Sequence, residues 1–301
     1  MSHFAVRTLT LNPSIDVSSE AEKVEPTRKV RTCCERIDPG GGGINVARVL
    51  HRFGTSVEAV FLAGGATGEA FDALLGKAGL IRRWVRIDED TRTSLAIHER
   101  STGRDYRFVP EGPPLQPAEI DACREAILAA SCDYLVASGS LPPGVPDDFY
   151  VGVAKAAQKI GARFVLDTSG EELRDAVAAG GIHLLKASSE ELDREAAEAT
   201  VRAGHAEHVT LTLGGEGALL IGPDGTWRLS AVETDPLSTV GAGDSFLAGM
   251  VAGLAAGKEM TEAFRLAVAC GAAATLSPGT DLCYPKDAER LLRLVGVPQR
   301  L

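Results

Sequence analysis

Short runs of β-branched and aliphatic residues alternate along the chain with longer stretches whose apolar positions recur at helical spacing. That is the pattern of βαβ units building a mostly parallel sheet. Ala5–Leu11, Val57–Leu62, Tyr134–Ala137, Arg163–Asp167, His183–Lys186 and His208–Leu213 predict buried strands. Ile44–Phe53, Gly68–Ala78, Pro117–Ala130, Asp148–Ile160, Glu171–Ala179, Ser189–Arg202, Asp244–Ala256, Thr261–Leu276 and Pro285–Leu294 predict helices. The rhythm breaks over Ile15–Asp38 and Ser94–Val109. In the second region Ser94–His98 and Tyr106–Val109 flank the turn Ser101-Thr102-Gly103, as in a β-hairpin. Strands inserted early in such a fold form a flap over a ligand site, and their open edges invite pairing with a second subunit. The expected fold class is α/β: a doubly wound, mostly parallel sheet with helices on both faces. One domain is expected over residues 1–301, with a small β-sheet lid formed by insertions at about 15–38 and 94–109.

Composition narrows the class. The 301 residues are 45% hydrophobic and 24% charged, enough for one large soluble α/β domain. A net charge of −10 argues against nucleic-acid or anionic-membrane binding. The cysteines, Cys33, Cys34, Cys123, Cys132, Cys270 and Cys283, form no C-x-x-C pair and suggest neither a zinc site nor a disulfide framework. The N-terminal residues lack an apolar run of signal-peptide length, and no window approaches the roughly 18 apolar residues of a membrane helix. The expected location is the cytoplasm.

Candidate chemistry concentrates in Ser238-Thr239-Val240-Gly241-Ala242-Gly243-Asp244-Ser245, which opens an apolar helix. Small residues at a helix N-terminus let backbone N–H groups converge where the macrodipole favours a phosphate or a developing oxyanion. A carboxylate beside such a hole is suited to accept a proton from an attacking hydroxyl; equally, Asp244 could serve as a helix cap. A second cluster, Gly40-Gly41-Gly42-Gly43-Ile44-Asn45, opens the first helix and allows close backbone approach to a ligand. It is not a P-loop, since no G-x-x-x-x-G-K-[ST] occurs. Asn45 could bond a sugar hydroxyl or stand as an ordinary first-turn polar residue.

Together, Gly40-Gly41-Gly42-Gly43-x-Asn45-x-Ala47 and Thr239-Val240-Gly241-Ala242-Gly243-Asp244 resemble the paired signatures of the ribokinase-like, or PfkB, family of sugar kinases. The likeness extends through Thr8–Asp16, Ala63–Glu69, Tyr106–Val109, Ser138–Val145 and Gly279–Cys283, and is greatest to the branch of phosphofructokinases and tagatose-6-phosphate kinases. It implies ATP-dependent phosphoryl transfer to a hydroxyl of a sugar phosphate, with fructose 6-phosphate giving fructose 1,6-bisphosphate as the leading reaction. It also implies Mg²⁺, with K⁺ as a further candidate cation, and a homodimer assembled through the lid. Carried over by position, Asp244 is the catalytic base, and the N–H groups of Ala242, Gly243 and Asp244, after Gly241, form the anion hole. Asp16, Gly41, Gly42 and Asn45 hold sugar hydroxyls; Arg92, Ser140 and Lys29 hold the sugar phosphate, Lys29 from the partner subunit. By sequence alone, the mixed-charge segment around Lys29 reads as a solvated face. Lys186, Ser188, Thr212, Gly214, Gly217 and Ser277 fall on ATP-binding positions, and Glu191 and Asp167 on metal positions acting through water.

One departure bears on function. The family's Asn before the metal-organising Glu is Ser188 here, while Glu191 stays in register. A hydroxyl reaches less far than an amide, so the expectation is weakened rather than lost magnesium organisation. Alternatives left open are tagatose 6-phosphate or fructose 1-phosphate as substrate, and a non-catalytic sugar-phosphate or nucleotide-binding protein. Retention of Asp244, Gly241, Gly243 and Glu191 favours the enzyme.

Overall fold

A computed structural model describes residues 3–301. Its strands are β1 (His3–Thr10), β2 (Ser14–Ala21), β3 (Cys33–Gly40), β4 (Val57–Gly64), β5 (Ile81–Ile87), β6 (Arg92–Glu99), β7 (Arg104–Phe108), β8 (Ser131–Ser138), β9 (Arg163–Asp167), β10 (Ile182–Ser188), β11 (Ala206–Thr212), β12 (Ala218–Gly222), β13 (Gly225–Leu229) and β14 (Gln299–Arg300). Its α-helices are α1 (Gly42–Arg52), α2 (Gly65–Lys77), α3 (Pro117–Leu128), α4 (Phe149–Lys159), α5 (Gly170–Ala179), α6 (Arg194–Arg202), α7 (Ala242–Ala255), α8 (Met260–Ala274) and α9 (Pro285–Leu292).

The main sheet has ten strands in the order β14-β13-β12-β11-β10-β9-β8-β1-β4-β5. From β11 to β5 every pairing is parallel, and only β12, β13 and β14 run antiparallel at one edge. Parallel strands need crossovers that cover both faces. Accordingly, apolar residues of α1, α2, α7, α8 and α9 fill one core layer, and those of α3, α4, α5 and α6 fill the other. Strand order reverses at β1, which lies between β4 and β8, so a crevice opens beyond its C-terminal end. The remaining strands form a separate sheet, β3-β2-β6-β7.

Each predicted strand and helix overlaps an observed element, and the hairpin is β6–β7, paired antiparallel. The helix expected over Ser189–Arg202 starts only at Arg194, because the Asp193 side chain caps it by accepting from the Ala196 N–H. The strands β5, β12, β13 and β14 fall outside the pattern reading. β5 is an edge strand whose arginines break the apolar run: Arg82 pairs with Asp72, and Arg86 pairs with Glu69 and lies over Trp84. For β12 and β13 a signal existed, since Gly222-Pro223-Asp224-Gly225 between apolar runs specifies a tight turn. Within β1, fully buried Arg7 donates to Glu58 and to the Ala126 and Ile127 carbonyls at the end of α3, so burial does not leave its charge unpaired.

Candidate active site

The first turn of α7 separates two cavities. The smaller, of about 300 Å³, is lined by Asp16, Gly41, Gly42, Asn45, Arg92, Gly241 and Asp244, among others. The larger, of about 910 Å³, is lined by Thr212, Gly214, Gly217, Ala242 and Gly243, with Phe246, Val268 and Thr275 on its helical wall. Thr239 borders both. A group bound in one cavity therefore faces a group bound in the other across the first turn of α7, where the Ala242 N–H reaches the Thr239 carbonyl at 3.4 Å.

Gly241 starts the helix at φ 74°, the left-handed conformation glycine adopts without strain. Helix α7 begins at Ala242, two residues earlier than the pattern suggested, and has no side-chain cap. Asp244 thus sits inside the first turn and is not the cap. Its Oδ2 accepts from Asn45 Nδ2 at 2.8 Å, and among the described residues no hydrogen bond reaches its Oδ1. Burial raises the carboxyl to about 6, with Asp167 and Asp16 pushing the same way and Asn45 and Lys186 opposing. At neutral pH it is therefore an ionised carboxylate with unusually high proton affinity.

Asn45 is itself held. Arg48, one turn along α1, donates to Asn45 Oδ1 at 3.4 Å and to the Pro39 carbonyl at 2.9 Å, and pairs with Asp38 at 3.2 Å. Asp38 also takes Arg36 at 2.6 Å and the Thr280 hydroxyl at 3.0 Å, while Asp281 binds Arg36 and Arg52. This network ties the small sheet, α1 and the 280–284 loop together beneath the smaller cavity. Sequence reading missed it, although a charge in the buried face of α1 was a usable signal.

In the small sheet Asp16 lies opposite Asp38 and Ser94, and Ala96 opposite Arg107. Asp16 and Arg107, the latter also missed in the sequence, line the smaller cavity beside Arg92. Burial pushes the Asp16 carboxyl up, against the Ser14 hydroxyl at 2.5 Å and the charges of Arg92 and Arg107. Arg92 donates to the carbonyls of Asn12, Pro13 and Pro110, so three of its five donors fix it at the cavity and the others remain for a ligand. In the glycine run, Gly41 adopts φ 108°, and a Cβ there would stand 2.9 Å from Thr10.

Lys186 joins β10 to the α7 turn. Its Nζ bonds Asp167 at 2.9 Å and lies 3.2 Å from where a Cβ on Gly243 would stand. Asp167 also accepts from Ser138 at 3.2 Å. The Glu191 carboxylate folds back onto the Ser188 N–H and hydroxyl, at 2.8 and 2.9 Å. Lys186, Asp167, Ser188 and Glu191 line neither cavity, and three further sequence candidates also stand outside both. Ser277 is buried and donates to the Leu282 carbonyl, its place on the wall of the larger cavity being taken by Thr275; Ser140 is exposed beside Asn12; and Lys29 is exposed in the segment joining β2 to β3.

No helix among the described residues is long and apolar enough to cross a membrane. The sequence matches the pfkB family of carbohydrate kinases over residues 10–287. It is 42% identical to an ATP-dependent 6-phosphofructokinase isozyme 2 of Mycobacterium tuberculosis, covering 97% of this chain and 90% of that protein. It is 32% identical to a 1-phosphofructokinase of Bacillus subtilis, covering 90% of this chain and 93% of that one. The fold superposes on Escherichia coli phosphofructokinase-2 in complex with potassium with a TM-score of 0.92, at 37% identity and covering 97% and 99% of the two chains. Against the same enzyme in complex with fructose-6-phosphate the TM-score is 0.91 at 36% identity, again covering 97% and 99%. A match spanning both glycine-rich signatures and nearly all the sequence between them places this chain in the pfkB family of carbohydrate kinases.

Proposed function

We propose that this chain phosphorylates fructose 6-phosphate to fructose 1,6-bisphosphate with ATP. The observation that carries this reading is the Asp244 carboxylate, held at the α7 N-terminus between two cavities. The larger cavity, with glycine edges and an apolar helical wall, suits a nucleotide. The smaller combines carboxylate and amide groups for hydroxyls with Arg92 and Arg107 for a phosphate. The similarity to an ATP-dependent 6-phosphofructokinase, and to the E. coli enzyme in complex with fructose-6-phosphate, supports the same pair of ligands.

In the proposed reaction the sugar hydroxyl oxygen attacks the γ-phosphorus while the bond to the β–γ bridging oxygen breaks and ADP departs. Asp244 Oδ1 accepts the hydroxyl proton, and the N–H groups of Ala242, Gly243 and Asp244 bind the equatorial oxygens of the transferring group. Asp16, Gly41, Gly42 and Asn45 orient the sugar. Lys186, Thr212, Gly214 and Gly217 flank the nucleotide phosphates, with Ser188 assigned to that side by position; Ser277, matched by position to the adenine end, is buried behind the cavity wall and does not contact the nucleotide. The Asp167 and Glu191 carboxylates with the Ser188 hydroxyl are hard oxygen donors that fit water-mediated Mg²⁺, which when bound neutralises phosphate charge. Potassium is a further proposed cation, by analogy with the E. coli complex.

We further propose one domain whose small sheet is a lid and a dimer surface. Register aligns Ile37, Val17, Leu95 and Phe108 across its four strands, and Ile37, Leu95 and Phe108 are exposed, an apolar row that a second subunit would cover. Lys29 would then serve the partner subunit's sugar phosphate, while Ser140 would contact the sugar phosphate of its own chain. The expected compartment is the cytoplasm. ADP release measured with fructose 6-phosphate, tagatose 6-phosphate, fructose 1-phosphate, fructose and ribose tests the assignment. Fructose 6-phosphate should give the highest kcat/KM, and preference for an unphosphorylated sugar would refute the sugar-phosphate reading.

A further inference from the structure

Away from both cavities, at the end of β2 and β3 opposite Asp16 and Asp38, three metal-ligating side chains converge. One ligand atom from each of Glu20, Cys33 and Cys34 lies within 4.8 Å of the other two. Adjacent residues of a regular strand point to opposite faces, so neighbouring cysteines ordinarily cannot share a ligand. Here the pairing of β2 with β3 slips between Ser18 and Glu20, and Cys34 adopts φ 59°, rare for a residue with a Cβ. The alternation is broken at that point, and the two sulfurs stand 3.6 Å apart. Two thiolates on one tetrahedral Zn²⁺, each at 2.3 Å, would stand about 3.8 Å apart. Backbone distortion has therefore already brought the sulfurs to chelating separation.

We propose that Cys33, Cys34 and Glu20 form a binding site for a thiophilic divalent cation of the Zn²⁺ class. The two thiols release two protons to solvent on binding, the Glu20 carboxylate supplies the third donor, and water completes the tetrahedron. Two thiolates and a carboxylate around a divalent ion leave one net negative charge. Arg100 offsets it in part, with its guanidinium 3.8 Å from Cys33 Sγ and 3.9 Å from Glu20 while also pairing with Glu22 at 3.5 Å. Both cysteines are exposed, whereas Cys123, Cys132, Cys270 and Cys283 are buried. The bound ion would pin β2 to β3 where their register is irregular, stiffening the small sheet from the end remote from Asp16.

The test is titration of the reduced full-length protein with Co²⁺, monitored by thiolate-to-metal charge-transfer absorption. One Co²⁺ per chain with that band, displaced by Zn²⁺, is expected. Cys33→Ser and Cys34→Ser, both at exposed positions, should each abolish the band, and Glu20→Gln should weaken binding about tenfold or more. The competing cluster of His183, Glu207 and His208 supplies the control, so His208→Gln should leave the band unchanged. Absence of the band in the parent protein, its survival in either serine variant, its loss in His208→Gln, or unchanged affinity in Glu20→Gln would overturn the site.

Discussion

Replacing Asp244 by Asn keeps the side chain's shape and an oxygen to accept the Asn45 hydrogen bond, but removes the charge. In the parent protein burial lifts this carboxyl from an ordinary 3.8 to about 6. A carboxyl that ionises less readily when folded binds its proton more tightly in the native state than in the unfolded chain. Stability is therefore lost as pH rises from about 3.8 through about 6, and the loss persists above. The gap corresponds to about 3 kcal/mol, an upper bound because cavity water reaches the half-buried group. Asparagine carries no such penalty, and Lys186 keeps Asp167 as a partner in the variant. At pH 7.5 Asp244→Asn should thus exceed the parent in stability by up to about 3 kcal/mol, roughly 5 °C in Tm for a chain of this size. Below pH 4 the two should converge. Thermal unfolding of both proteins without ligands between pH 4 and 8 reads the effect, while kcat in the ADP-release assay should fall by about 10²–10⁴. Equal stability at neutral pH, a pH-independent difference, or near-parental turnover would refute the picture of a desolvated base.

Because the proposed base, Asp244, must be ionised to accept a proton, kcat/KM for the parent should decline below about pH 6. Asn45→Ala removes the hydrogen bond that favours the ionised form, so that acid limb should move up by about one pH unit; an unmoved limb would show that another group controls it. Arg92→Ala should raise KM for the sugar phosphate by about one to two orders of magnitude while leaving KM for ATP nearly constant, and an equal loss with unphosphorylated fructose would exclude the phosphate role. Arg7→Ala leaves Glu58 with only the longer Arg83 contact at 3.5 Å and the end of α3 without its donor, so denaturant unfolding should report about 2–4 kcal/mol of destabilisation, against under about 1 kcal/mol if the buried pair were dispensable. Mixing Lys29→Ala with Asp244→Asn subunits tests the shared site: if Lys29 serves the partner, random exchange should restore about a quarter of parental activity, and no recovery despite demonstrated exchange would exclude it.

What the sequence disclosed and withheld follows from the range of the interactions. The parallel core and the glycine-rich helix starts were legible because strand period and the backbone needs of Gly41 and Gly241 are local. The start of α7 was misjudged by two residues because Asp244 resembles a cap, whereas its carboxylate is claimed by Asn45, distant in sequence. The delayed start of α6 has a similar origin, with Glu191 bonded to Ser188 and the cap passing to Asp193. Arg107 and Thr275 escaped notice because facing a cavity depends on which strands pair and how α8 packs, and neither leaves a local mark. Ser277 stood out by position in a familiar pattern, yet its hydroxyl is spent on the Leu282 carbonyl.

The buried charges around Asp38 suggest why the small sheet and the proposed base behave as one device. Ion pairs sequestered from water contribute little net stability compared with apolar packing, but their directional bonds tolerate few arrangements. Arg48 must satisfy Asp38 and the Pro39 carbonyl at once, which fixes its guanidinium beside Asn45 Oδ1. With its oxygen so engaged, Asn45 has only its amide N–H groups to offer Asp244, and that donation occupies Oδ2 and leaves Oδ1 for the incoming proton. Asp38 lies directly opposite Asp16 in the small sheet, so a shift of β3 relative to α1 would disturb the carboxylate proposed to orient the sugar and the hydrogen-bond donor of the proposed base together. A substrate that seats the sheet correctly would thereby also orient the base, coupling sugar binding to proton acceptance through three side chains, of which only Asn45 touches Asp244.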